Sequence, residues 1–103
     1  MNRQIAIIGG TQTRMFEKKG REKGVDVVHH DGKINAKKAY KRQLEKLVSS
    51  SDAIVLIPSA CSHGSMYLVK DLCKQLGKPF TFIKGTGINA AIEKGESLLV
   101  GGM

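Results

Sequence analysis

Ala53-Ile-Val-Leu-Ile57 is a continuous apolar run with no polar side to turn toward water. A strand of that kind is buried on both faces, as happens in a parallel sheet covered by helices on each side. Ser49-Ser-Ser-Asp52 precedes the run and Pro58 stops it. Gln4-Ile-Ala-Ile-Ile8 is a second run of the same type and ends in Gly9-Gly10, a strand followed by a tight turn. Val25-Asp-Val-Val28 is read as a strand ending in His29-His30-Asp31-Gly32, where Asp-Gly marks a turn. Phe80-Thr-Phe-Ile83 is the fourth, with Gly85-Thr-Gly87 after it.

Amphipathic stretches separate these runs. Thr11-Gln-Thr13 leads into Arg14-Met-Phe-Glu-Lys-Lys19, a short helix that Gly20 and Gly24 are expected to break. Asn35 is a good N-cap for the next, in which Ala36, Tyr40, Leu44, Leu47 and Val48 recur at helical spacing with lysines between them. Ser49 to Asp52 is expected to terminate it. Ser62 or Ser65 is the expected cap of the third helix, with Met66, Val69, Leu72, Cys73 and Leu76 as its apolar stripe. Gly77 stands at its C-cap and Pro79 follows. Ile88 to Ile92 opens a fourth helix that Gly95 weakens, and Leu98-Leu-Val100 reads as an extra strand or the end of a helix.

Strands alternating with helices imply a parallel sheet with right-handed crossovers. The expected fold is one α/β domain over residues 1–103, a small three-layer Rossmann-like or flavodoxin-like unit with four parallel strands in order 2-1-3-4. The strand order reverses between the first and third strands, and ligands of such folds bind outside the carboxyl ends of the strands at that point. The segments delivered there are Gly9 to Thr13, His29 to Asp31, Ser59 to Ser65, and Gly85 to Gly87.

The formal net charge is +8, and lysines and arginines concentrate in Arg14 to Lys23 and Lys33 to Lys46. Such a surface suits an anionic partner. Lys37, Lys38, Lys41 and Arg42 are positioned to meet phosphates, but no helix-turn-helix, zinc finger or aromatic-rich sheet signature accompanies them. Specific nucleic-acid binding is therefore not expected. Trp is absent and aromatics are few, which makes the core aliphatic and disfavours stacking platforms for single strands. The chain enters a strand pattern at once, without the cleavage region of a secretory signal, and has no membrane-length apolar run. Cys61 and Cys73 form neither a CxxC nor a zinc pattern and are read as free thiols in a reducing, cytoplasmic setting.

Several features recur together in order: the strand into Gly9-Gly10, His29-His30-Asp31-Gly32, Ser51-Asp52-Ala53, Cys61-Ser-His63, Leu72-Cys73-Lys74 and Gly77-Lys78-Pro79-Phe80. With them the chain resembles, over nearly its whole length, the bacterial family catalogued as domain of unknown function 2325. The resemblance implies a fold and a site more than an activity. The chain departs from the pattern after Glu93, where a glycine-bearing tail stands in place of a longer regular helix.

The expected ligand contacts are Gly9, Gly10, Thr11, Thr13 and Arg14 after the first strand, and His30 and Asp31 after the second. Ser59, Cys61, Ser62, His63 and Ser65 follow the third, and Lys84 the fourth. Glycines and hydroxyls before a helix suit an anion, because helix N-termini offer free N–H groups and a favourable dipole. The spacing is neither GxGxxG nor a P-loop. The leading expectation is a non-enzymatic module that binds or sequesters an anionic, nucleotide-derived molecule, as a homo-oligomer. A haem- or metal-binding sensor using His29 or His30 with Cys61 or His63 is the alternative. Adjacent His29 and His30 point to opposite sides if the strand continues through them, so at most one need face the site. A nucleotide hydrolase or transferase is third, since no second acidic residue lies near the site for metal-assisted hydrolysis.

Overall fold

The computed structural model of the protein describes residues 3–10, 13–30, 38–61, 63–84 and 87–101. Its elements are β1 (Gln4–Ile8), α1 (Thr13–Glu22), β2 (Asp26–His30), α2 (Lys38–Ser50), β3 (Ala53–Leu56), α3 (His63–Leu76), β4 (Phe80–Phe82) and α4 (Ile88–Gly101). A single 3-10 turn, Pro58–Ala60, joins β3 to α3. The four strands form one parallel sheet in the order β2-β1-β3-β4, as the alternation of runs predicts.

Strand side chains alternate, so each face of the sheet collects its own core. Ile5, Ile7, Val27, Ala53 and Val55 meet Phe16 of α1 and Ala91 and Ile92 of α4. Ala6, Ile8, Ile54 and Leu56 meet Leu44 and Val48 of α2 and Val69, Leu72 and Cys73 of α3. Every residue of β3 is buried, which is why its sequence carries no alternation. The result is a doubly wound sandwich, with α1 and α4 on one face and α2 and α3 on the other.

Two glycines expected to interrupt helices lie inside them. Helix α1 runs through Gly20 to Glu22, and α4 runs through Gly95 to Gly101. Both are buried against the sheet. A Cβ on Gly20 would overlap the Cγ2 of Val27, and one on Gly95 would sit 2.7 Å from the Cγ2 of Ile5. The missing side chain lets each helix approach its strand, and that packing outweighs the helix-propensity cost of about 1 kcal/mol for glycine. From Lys94 to Gly101 the chain is therefore the regular end of α4, not a departure from helix, and Leu98 and Leu99 pack against the α1/α4 core.

Other boundaries shift by a few residues. Strand β2 extends through His29 and His30 rather than ending before them. Helix α2 continues into Ser49 and Ser50, where the expected stop becomes a cap. The hydroxyl of Ser49 donates to the carbonyl of Lys46 at 3.0 Å, and those of Ser50 and Ser51 to Leu47 at 3.2 and 2.6 Å. These bonds satisfy carbonyls that a helix end leaves unpaired. Gln4 is tied to the same turn: its backbone N–H donates to the Asp52 carboxylate at 2.8 Å, and its amide to Ser50 and Ser51, each at 3.0 Å. Gly77 ends α3 at φ 67°, as a C-cap glycine does. Asn35, the expected cap of α2, lies outside the described residues, and Ser65 lies within α3 rather than before it. Among the described residues, no helix is long and apolar enough to cross a membrane.

A candidate ligand-binding rim at the strand ends

The sheet register fixes what meets at the carboxyl end. Ile8 pairs with His30 on one side and Leu56 on the other, and Leu56 pairs with Phe82. His30, Ile8, Leu56 and Phe82 therefore form one row across the sheet. The described residues one or two positions later in sequence emerge on a common rim. At the centre of that rim, β1 leads into α1 and β3 leads into α3, on opposite faces of the sheet. The crevice between them is the switch point that the strand order implies.

Gly9 and Gly10 make the turn out of β1 at φ 123° and 89°, conformations that L side chains rarely adopt. The N–H of Gly9 donates to the carbonyl of His30 at 2.7 Å, which carries the β1–β2 ladder one residue past the strand. The carbonyl of Gly9 accepts a hydrogen bond from Nε2 of His29 at 2.8 Å. A carbonyl only accepts, so Nε2 is the protonated nitrogen in this bond. The ring of His29 also stacks on Phe16, with centroids 5.1 Å apart and 16° between planes. His29 thus braces the turn from the α1/α4 side.

His30 follows on the other side of the sheet and is half-buried. The two histidines do diverge, as a continuous strand requires. Arg14 stands exposed in the first turn of α1, and Thr13 is that helix's first residue. Across the crevice, Ser59 is exposed in the 3-10 turn, Cys61 is half-buried against the α2/α3 core, and His63 is exposed as the first residue of α3. Ser65 is fully buried in the first turn of α3, which puts its hydroxyl in the interior rather than on the rim. Lys84 is exposed two residues beyond β4. Thr11, Asp31 and Ser62 lie outside the described residues.

The electrostatics of the two helix starts are alike. Neither α1 nor α3 has an acidic residue in its first turn. Their N-terminal dipole ends are thus not offset by a carboxylate on the same turn. Among the described residues, no three His, Cys, Asp or Glu side chains gather closely enough to hold a metal ion. Burial pushes the Cys73 thiol up from 9.0 to about 11, which keeps it protonated and unreactive in the core.

A family model described as "Uncharacterized protein conserved in bacteria (DUF2325)" matches residues 4–95. The chain belongs to this family. The match spans β1 to the middle of α4 and so takes in every rim segment. A protein of Desulfitobacterium hafniense called "UPF0751 protein" is 36% identical over 97 residues, covering 88% of this chain and 90% of its own length. A Bacillus anthracis relative in the same named group is 31% identical over 91 residues, with the same coverage. A Bacillus cereus relative matches at the same identity and length. No solved structure matches the chain. The DUF2325 features read from the sequence thus hold over the full sheet, and these names attach no activity to it.

One rim feature was not legible as a site. Tyr67 and Phe82 are exposed at the β4 side of the rim, with Lys70 between them. In the sequence, Tyr67 sits four residues after His63 and looks like one more position of an amphipathic helix. Only the packing of α3 beside β4 sets it and Phe82 around Lys70.

Proposed function

We propose that this DUF2325 member is a non-enzymatic binding module that holds a small anionic, nucleotide-derived ligand at the carboxyl ends of its strands. The observation that carries the reading is the β1–β3 crevice. Two positive-φ glycines there turn the chain out of β1 toward α1, with Gly10 half-buried at the opening, while α3 starts on the opposite face of the neighbouring strand. Two helix N-termini flanking one crevice favour an anion. Gly10 and Thr13 supply donors from one side, and Ser59 and His63 from the other, while Gly9, whose N–H is held by the His30 carbonyl, shapes the turn. Arg14 and Lys84 are the exposed cations next to them, and His30 flanks the crevice from β2. The net charge of +8 steers polyanions toward such a site. The ligand is sensed or sequestered in the cytoplasm, and the outer strands β2 and β4 offer edges through which a homo-oligomer assembles.

Native mass spectrometry of the protein purified from its own host tests this. The expected result is a co-purified ligand, identified as a nucleotide derivative after heat release. A nucleotide panel should also raise Tm, and Arg14→Ala with Lys84→Ala should reduce that rise. Protein that is ligand-free in its host and shows no thermal shift with any nucleotide would overturn the reading. Turnover of the released ligand on incubation would make the protein an enzyme instead.

A further inference from the structure

The β4 side of the rim carries a cluster that anion binding alone does not use. Tyr67, one turn into α3, is 65% exposed, and Phe82, the last residue of β4, is 40% exposed. The Nζ of Lys70 stands 5.9 Å from the Tyr67 ring centre and 5.7 Å from that of Phe82. One ammonium therefore links both rings. Phe80 meets Phe82 edge-on, with centroids 6.0 Å apart and planes at 90°, and buttresses that ring from the core side. Along α3, His63, Tyr67, Lys70 and Lys74 follow at spacings of four, three and four, so they share one face of the helix. A chain with no tryptophan and few aromatics thus leaves two large rings at its surface, both beside a cation.

The register relates this cluster to the crevice. Phe82 lies in the same row as Leu56 and Ile8, directly before the level of Gly9. It is two strand spacings from β1, about 10 Å. That separation suits a nucleotide with its phosphates at the Gly9–Gly10 turn and its base at the β4 edge. Lys84 stands exposed two residues beyond Phe82.

We infer that Tyr67, Lys70 and Phe82 form the base-binding half of the site, where a nucleobase stacks beside the Lys70 ammonium. The inference rests on the anion-binding reading of the crevice and names the ligand's other end. Hydrogen-bonding capacity selects this occupant over others. An apolar segment would cover the ammonium and leave its donors without acceptors. A second copy meeting here about a two-fold axis would set Lys70 and Lys74 against their own equivalents. A nucleobase stacks on the rings and offers ring nitrogens and carbonyls to the Lys70 ammonium, while its phosphates reach the Gly9–Gly10 turn.

Isothermal titration of the full chain at low salt with ATP, GTP and inorganic tripolyphosphate tests it, with circular dichroism confirming that each variant is folded. Both nucleotides should bind more tightly than tripolyphosphate. Tyr67→Ala should weaken nucleotide binding by about 5- to 150-fold, the range that loss of one base–aromatic stack gives. It should leave tripolyphosphate binding unchanged, and Tyr67→Phe should restore nucleotide affinity. If nucleotides bind but Tyr67→Ala and Phe82→Leu both leave their affinity unchanged, the base-stacking inference falls and the anion site stands. If neither nucleotides nor tripolyphosphate bind, the anion reading falls and takes this inference with it.

Discussion

His29 donates from Nε2 to the carbonyl oxygen of Gly9 at 2.8 Å while its ring lies against Phe16. This couples the turn out of β1 to the strand beside it and to the first helix above it. The turn is held in a conformation that ordinary residues avoid, so something must over-determine it. The ladder bond from Gly9 to His30 and the bond from His29 do so from two directions.

Replacing His29 therefore tests the brace. His29→Phe keeps a ring to stack on Phe16 but removes the donor. A single neutral hydrogen bond is worth about 1 kcal/mol net, so the variant should lose about that much stability. His29→Ala should lose more, because the stack goes as well. Urea denaturation of the three proteins gives the comparison. A His29→Phe variant as stable as the parent would show that the brace contributes nothing.

The turn itself yields a second test. Among the described residues, a Cβ on Gly10 would meet only the Nε2 of His29 at 3.9 Å, an ordinary contact, so those neighbours are not what requires glycine there. The positive φ is. An L-alanine at position 10 should cost about 1–2 kcal/mol, the penalty for a left-handed conformation in an L residue. D-Alanine, introduced by chemical synthesis of the chain, should be tolerated without that loss. Equal destabilisation by both enantiomers would mean that crowding, not backbone strain, sets the requirement.

These positions also show what the sequence can carry. The strand order was readable because β3 is apolar throughout and the other runs alternate regularly with helices. Gly9-Gly10 announced a turn for the same reason that it makes one. Gly20 and Gly95 misled, because local punctuation rules cannot see a strand packed behind the helix. His29 shows both sides of this. Strand alternation already separates it from His30 in the sequence, but its partners, the Gly9 carbonyl and the Phe16 ring, come from other segments and appear only in the fold. Tyr67 and Phe82 come from different elements, and only the packing of α3 beside β4 gives them Lys70 in common.

The helix glycines predict an outcome opposite to helix propensity. Alanine in a helix interior is ordinarily the more favourable residue by about 1 kcal/mol. At position 95 its methyl would press on Ile5 Cγ2 and Cδ1, at 2.7 and 2.9 Å. Gly95→Ala should therefore destabilise the fold by about 1–3 kcal/mol, the usual cost of overpacking. Trimming the obstacle should repair it: Ile5→Ala, which removes both carbons, combined with Gly95→Ala should be more stable than the sum of the single changes implies. Thermal or urea unfolding of the four-member cycle measures the coupling. Strict additivity would refute the close approach of α4 to β1.

Cys73 supplies the pH prediction. Burial in the α2/α3 core raises its thiol pKa from 9.0 to about 11, so folding favours the protonated form. In the unfolded chain the thiol ionises first. The stability tied to this group is thus fully present below pH 9 and drains away as pH rises toward 11. Cys73→Val, which keeps a small apolar side chain there, should remove that part of the alkaline decline while leaving stability at pH 7 nearly unchanged. Thiol labelling offers a parallel readout. At pH 8 a disulfide reagent should modify half-buried Cys61 in the native protein and reach Cys73 only after denaturant is added. Identical alkaline stability profiles for the parent and Cys73→Val would show that this thiol is no better desolvated in the fold than in the open chain.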